Sequence, residues 1–132
     1  MPDILNRYLE EASQDAALDV FTVKDVQSKL PGIKHKWVGR LIRTKKRLND
    51  LIDEKDQLYT NLLTKAKEQA KYKIADNVLE KSIAKSTAVI DINKQIKDYK
   101  LIIDFLERTE KIFSSMTFDI KNLTEVMKIE TL

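Results

Sequence analysis

The residues that most readily break a helix, Pro2, Pro31, Gly32 and Gly39, all lie before position 40, and from Arg40 to the last residue there is neither glycine nor proline. Tight turns are built from those two residue types. A sandwich or barrel needs many turns, and an α/β nucleotide fold needs glycine at its phosphate loop. Neither fits. The chain therefore reads as all-α, with a punctuated N-terminal region followed by a long helical body. Its 132 residues suffice for one domain. It is read as a single helical domain, an N-terminal helical region over 1–33 and a long helical hairpin plus C-terminal helix over 34–132. Hydrophobic residues make up 42% and charged residues 34%, a balance that suits long helices with one buried stripe and a wide solvated face.

Periodicity places the elements. Asp3 to about Ala17 forms a first helix, capped by Asp3, with Ile4, Leu5, Tyr8, Leu9 and Ala12 on its apolar face. A short helix starts at Thr22, whose hydroxyl is placed to accept from the backbone N–H of Asp25. It buries Val23, Val26 and Leu30, and Pro31-Gly32 ends it. A long helix follows from near Lys34 to about Lys73, carrying Trp37, Leu41, Leu48, Leu51, Ile52, Leu58, Tyr59, Leu62 and Leu63. Such a length needs a partner helix. Ile92, Ile96, Tyr99, Ile103, Leu106 and Phe113 supply one, a heptad seam with a second apolar strip of Leu101, Ile102, Phe105 and Ile112 beside it. The wide face points to more than one neighbour, either within a bundle or in other subunits, and the seam, with Phe118 and Ile120, is expected to hold subunits of a homo-oligomer together. Ile74 to Ala88 is less periodic and is expected to hold the bend. Ser114 to Thr117 is expected to interrupt the pattern before a short terminal helix.

Little in the sequence offers chemistry. There is no cysteine, and His35 is the only histidine, so neither a thiolate nor an imidazole metal site is expected. The acidic group Asp50, Asp53, Glu54 and Asp56 lacks the glycine turn and spacing of a calcium loop. No nucleophile and base are recognisable together. The reading is a non-enzyme without cofactor. No apolar run is long enough to span a membrane, and a cytoplasmic location is expected.

The charge is where the sequence speaks. The net charge is only +3, yet residues 34–47 hold seven basic groups and no acid. Lys36, Arg40, Arg43 and Arg47 follow helical spacing and are expected to share a face. Lys34, Lys46, His35 and Trp37 belong to the same run. A second basic segment holds Lys65, Lys67, Lys71 and Lys73 with Tyr72 inside it. Cations track phosphates and aromatic faces stack unpaired bases. Both segments are thus candidate contacts for single-stranded DNA, with Trp37, His35 or Tyr72 as stacking residues. The plainer alternatives are a solvated lysine-rich face for the second segment and a packing role for Trp37. No recognition-helix motif for duplex DNA is visible.

Three stretches carry a family resemblance: Lys36-Trp37 at the opening of the basic helix; Ile92-Asn93-Lys94-Gln95-Ile96 through Tyr99 to Asp104-Phe105-Leu106-Glu107; and Phe118-Asp119-Ile120-Lys121-Asn122 near the end. In these the chain resembles the UvsY family of recombination mediators from T-even-like bacteriophages, from about Ile33 onward. It departs from the pattern at Thr117, where family members often have glycine. The resemblance implies a ring-like homo-oligomer, hexamer or heptamer, that binds single-stranded DNA. It also implies that the protein loosens a single-strand-binding protein and helps a RecA-like recombinase load in the cytoplasm of an infected bacterium. The rival from another class is a coiled-coil scaffold or adaptor without nucleic-acid binding, which leaves the acid-free run at 34–47 unexplained.

Overall fold

The computed structural model describes residues 2–70 and 74–131. Its helices are α1 (Pro2–Asp15), α2 (Val23–Gln69), α3 (Asp76–Ala84) and α4 (Thr87–Glu130), and no strand occurs among the described residues. The all-α reading holds. Two expected breaks do not. Pro31 lies inside α2, although an interior proline costs a helix about 3 kcal/mol. The reason is packing. Val23, Val26, Leu30, Trp37 and Leu41 are buried on both sides of it. Burying each such side chain contributes ~1.5–3 kcal/mol, so keeping the stripe in register outweighs one lost hydrogen bond. Pro31 and Gly32 themselves are exposed.

The same logic carries α4 through Ser114–Thr117. Phe113, Met116 and Ile120 are all buried, and the Ser115 hydroxyl donates to the Ile112 carbonyl at 2.8 Å. A side chain that competes with helix elsewhere is here bonded to its own helix. The weakly periodic stretch before α4 contains α3, whose Leu79 and Ile83 are buried.

Short polar side chains mark the starts of α2 and α4. Asp19 Oδ1 accepts from the N–H groups of Phe21 and Thr22 at 2.8 and 3.1 Å, and Thr22 Oγ1 accepts from the N–H of Asp19 at 3.2 Å. Thr22 thus answers upstream to Asp19, where the sequence pointed to Asp25. Ser86 opens α4, its Oγ accepting from the N–H of Val89 at 3.4 Å.

The chain packs as two units, each with its own core. The first joins Met1–Thr44 to Ile102–Leu132. Its buried cluster contains Val23, Leu30, Trp37, Leu41, Ile102, Leu106, Phe113, Met116 and Ile120, and α1 lays Ile4, Leu5, Tyr8 and Ala12 against it. The second unit is Lys45–Leu101. Leu51 of α2 meets Ile92 and Ile96 of α4 there, flanked by Leu48, Leu58 and Tyr99. The Tyr59 hydroxyl donates to the Glu80 carbonyl at 3.1 Å, tying α2 to α3.

This packing corrects the assignment of the heptad seam to contacts between subunits. Leu106, Phe113 and Ile120 are 0%, 1% and 4% exposed, and Ile92 and Ile96 are 9% and 7% exposed, within a single chain. Their apolar surface is already covered by α2. Tyr99 and Ile103 are half-buried in the same cores. Of the residues assigned to subunit contacts, Phe118 alone is largely exposed, at 70%.

Candidate nucleic-acid interface

The basic run 34–47 lies wholly on α2, so helical geometry sends its side chains to several faces. One of these faces meets α1. Lys36 Nζ donates to Asp15 Oδ2 at 2.6 Å and to Glu11 Oε1 at 3.0 Å. Arg40 makes a two-pronged contact with Glu11, at 2.6 and 3.2 Å, the fork geometry that suits guanidinium and carboxylate. The acids are four residues apart on α1 and the cations four apart on α2, so two helical ladders meet. The electrostatics are mutual. The hydrogen bond from Arg40 is the largest influence on Glu11. It outweighs burial and, with Lys36, holds that carboxyl down at about 2 from an ordinary 4.5. Burial by itself would lower the pKa of Lys36, but the bonds to Asp15 and Glu11 hold it above its usual value.

Trp37 sits beneath this network. It is 1% exposed, and its Nε1–H donates to Asp15 Oδ2 at 2.9 Å. Its ring stacks on Phe113 at 5.9 Å between centroids and meets the edges of Tyr8 and Phe105 at 5.7 and 6.4 Å. Arg40 lies 4.7 Å above the Trp37 ring and 4.8 Å above that of Tyr8. Its position corrects the stacking role: a ring closed on every side has no face for a base. Trp37 is the aromatic centre of the first unit's core.

The remaining residues of the run are differently placed. His35, Arg43 and Lys46 are exposed and Lys34 is half-buried, its Nζ donating to Thr117 Oγ1 at 2.8 Å. Arg43 folds back along the helix over Gly39, where a Cβ would stand 3.3 Å from the guanidinium. Arg47 donates to Glu54 Oε1 at 3.2 Å. That bond and one with Tyr99 hold its pKa above the usual value. The four residues expected to form one cationic row therefore divide. Lys36, Arg40 and Arg47 have carboxylate partners, and Arg43 faces solvent. In the second unit Lys65 is exposed and Lys67 pairs with Asp76 at 3.3 Å. Lys71, Tyr72 and Lys73 lie outside the described residues.

Glu11 and Asp15 are the residues that sequence reasoning missed. The available signal was their matching four-residue spacing with Lys36 and Arg40. It was unreadable without knowing that α1 packs on α2.

A family model described as recombination, repair and ssDNA binding protein UvsY matches residues 11–131. The chain belongs to the UvsY family. The UvsY match begins inside α1 and so takes in Glu11 and Asp15, well before Ile33, where the resemblance in the sequence itself becomes legible. Comparison with curated proteins by sequence gives no match. A crystal structure of the bacteriophage T4 recombination mediator protein UvsY, lattice type IV, superposes with a TM-score of 0.81 at 17% identity, covering 96% of this chain and 98% of that one. The lattice type II crystal structure gives 0.76 at 14% identity, covering 96% and 97%. At that identity the likeness speaks for the fold.

Proposed function

We propose that this chain is a recombination mediator that binds single-stranded DNA and promotes loading of a RecA-like recombinase onto DNA covered by single-strand-binding protein, in the cytoplasm of an infected bacterium. The observation that carries the reading is the UvsY family match over residues 11–131, a family described by recombination, repair and ssDNA binding. The surface chemistry supports it. The acid-free run keeps His35, Arg43 and Lys46 at the surface, with Lys34 beside them, and Lys65 offers a further cation. These attract phosphates without reading bases, as a mediator on arbitrary sequence requires. Capture of this kind needs neither a nucleotide nor a cofactor.

A few cations bind DNA weakly by themselves. Several copies on one strand act as tethered sites at high effective concentration, so the reading includes a homo-oligomer of hexamer or heptamer size. Support comes from apolar side chains that the chain leaves uncovered: in the first unit Ile112, Phe118, Val126 and Ile129 are 52%, 70%, 49% and 69% exposed.

The test is binding to a fluorescent poly-dT oligonucleotide over a salt series, followed by recombinase loading on strands coated with single-strand-binding protein. Log affinity is expected to fall with log salt by about 0.7 per phosphate neutralised, with a preference for single strands over duplex. A folded protein that binds no single strand at low salt would leave a scaffold or adaptor role instead.

A further inference from the structure

The face of α2 that carries Leu30, Pro31 and Lys34 forms, with α4, a groove of about 610 Å³ in the first unit. It lies away from the ladder with α1, since Lys34 and Lys36 are about 200° apart around a helix by its ~3.6 residues per turn. Its floor is apolar: Leu30 and Ile120 reach it from the core, and Pro31 adds a ring that offers no N–H. Its rim is cationic, with Lys34 from α2 and Lys121 and Lys128 from α4. Among the described residues Glu125 is the only acid lining it. The contrast with the opposite face is informative. There Lys36 and Arg40 are neutralised by Glu11 and Asp15. Lys121 and Lys128 are exposed and have no carboxylate partner among the described residues.

We propose that this groove is a docking site for a short acidic peptide segment of a partner protein, one that carries apolar side chains between its carboxylates. Three features select that occupant. The volume lies in the range of pockets that enclose a ligand, and the apolar floor gains only from a ligand that brings apolar side chains to it. The three ammonium groups call for carboxylates around those side chains, the arrangement by which an amphipathic segment enters a groove. The polar groups suit a peptide as well. The Thr124 hydroxyl donates to the Ile120 carbonyl at 2.8 Å, so what it offers a ligand is an acceptor, as does Glu125. The free main-chain N–H groups in the first turn of a helical segment use acceptors; a phosphate backbone has no donor for them. Lys121 and Lys128 are seven residues apart, two helical turns or about 10 Å at ~1.5 Å per residue. A helical segment with carboxylates seven residues apart meets both.

The groove shares Lys34 with the proposed DNA contacts but not His35, Arg43 or Lys46, and the variants tested leave Lys34 in place, so each reading can fail alone. The probe is a fluorescein-labelled synthetic peptide of twelve residues, with glutamates seven apart flanking two leucines, added to the full chain. Control peptides replace the leucines by serine or the glutamates by lysine. Saturable binding of the first peptide is expected, with shifts in the methyl resonances of Leu30 and Ile120. The double variant Lys121→Glu/Lys128→Glu is expected to lose about tenfold or more in affinity while its binding to poly-dT stays the same. Equal binding of the serine control would overturn the proposal, because the floor would then contribute nothing. So would loss of poly-dT affinity in the double variant, which would make the groove part of the DNA path. A fall in oligomer mass in that variant, with no peptide binding to the wild type, would assign the groove to a second copy. Circular dichroism of the double variant confirms that any loss is not unfolding; Lys121→Gln/Lys128→Gln serves if the reversal does not fold.

Discussion

A cation's neighbours decide what it can do, and α2 shows two outcomes within a few residues. Arg40 is 20% exposed in its side chain, forked onto Glu11 and stacked over two rings. Arg43 is exposed and lies along its own helix. Arg40→Ala is therefore expected to act on stability, costing about 2 kcal/mol through the lost charged hydrogen bonds, as read by urea unfolding. Arg43→Ala with Lys46→Ala is expected to leave the unfolding midpoint in place. That pair should weaken poly-dT binding and reduce the salt slope by about 0.7 for each phosphate no longer neutralised. The acid side of the ladder has a signature in pH. The Glu11 carboxyl titrates at about 2 in the folded chain and at 4.5 ordinarily. Between those values the unfolded chain takes up a proton that the folded chain refuses, so unfolding is favoured as pH falls. The stabilisation is complete above about 4.5 and is lost on descent to about 2. Glu11→Gln should flatten that part of an acid unfolding curve. An unchanged curve would mean that Glu11 remains bonded to water in the folded state.

The helices, as elements, were legible where burial and periodicity agree. The apolar faces of α1, α2 and α4 follow three- and four-residue steps, and those steps require helix whatever the neighbours are. Local punctuation misled at Pro31 and at Ser114–Thr117 because its cost of a few kcal/mol is set against the packing of a whole stripe. Periodicity also tells that a face is covered without telling by what. The spacing of the Leu106–Phe113 seam suits a subunit contact as well as an internal one, and α2 of the same chain covers it. In the candidate site the cations were visible as a run, but the partners of Lys36 and Arg40 come from α1, more than 20 positions upstream, through packing. Two substitutions separate punctuation from packing. A Cβ on Gly32 meets nothing within 4 Å. Gly32→Ala is thus expected to stabilise the chain by about 0.5–1 kcal/mol, through loss of unfolded-state freedom, measured by urea or thermal unfolding. Gly39→Ala introduces a methyl 3.3 Å from the Arg43 guanidinium. Part of the same gain should be offset there by displacing that side chain.

For the whole molecule, the exposed apolar side chains of α4 matter more than its buried seam. Phe118 and Ile129 are 70% and 69% exposed and lie 11 positions apart, close to three helical turns, on one side of the helix. Isolated exposed hydrophobics are ordinary; large ones repeating on one side mark an interaction surface. Phe118→Ser with Ile129→Ser is expected to lower the assembly state in sedimentation equilibrium while leaving helix content intact. Binding to short oligonucleotides should persist and binding to long strands should weaken, since only the latter use several copies at once. An unchanged mass would move the contact between copies elsewhere.

The meeting of Glu11 and Asp15 with Lys36 and Arg40 also works as an indexing detent. Two acids and two cations with the same period fit in one position. If α1 slid by one turn, about 5.4 Å, one acid at most would stay opposite a cation: slid one way the Trp37 Nε1–H loses its acceptor, and slid the other way Arg7 moves into the seat of Glu11, opposite Arg40. Apolar side chains alone tolerate such slippage, because one greasy ridge resembles the next. The charged ladder therefore gives a helix of only 14 residues a single seat.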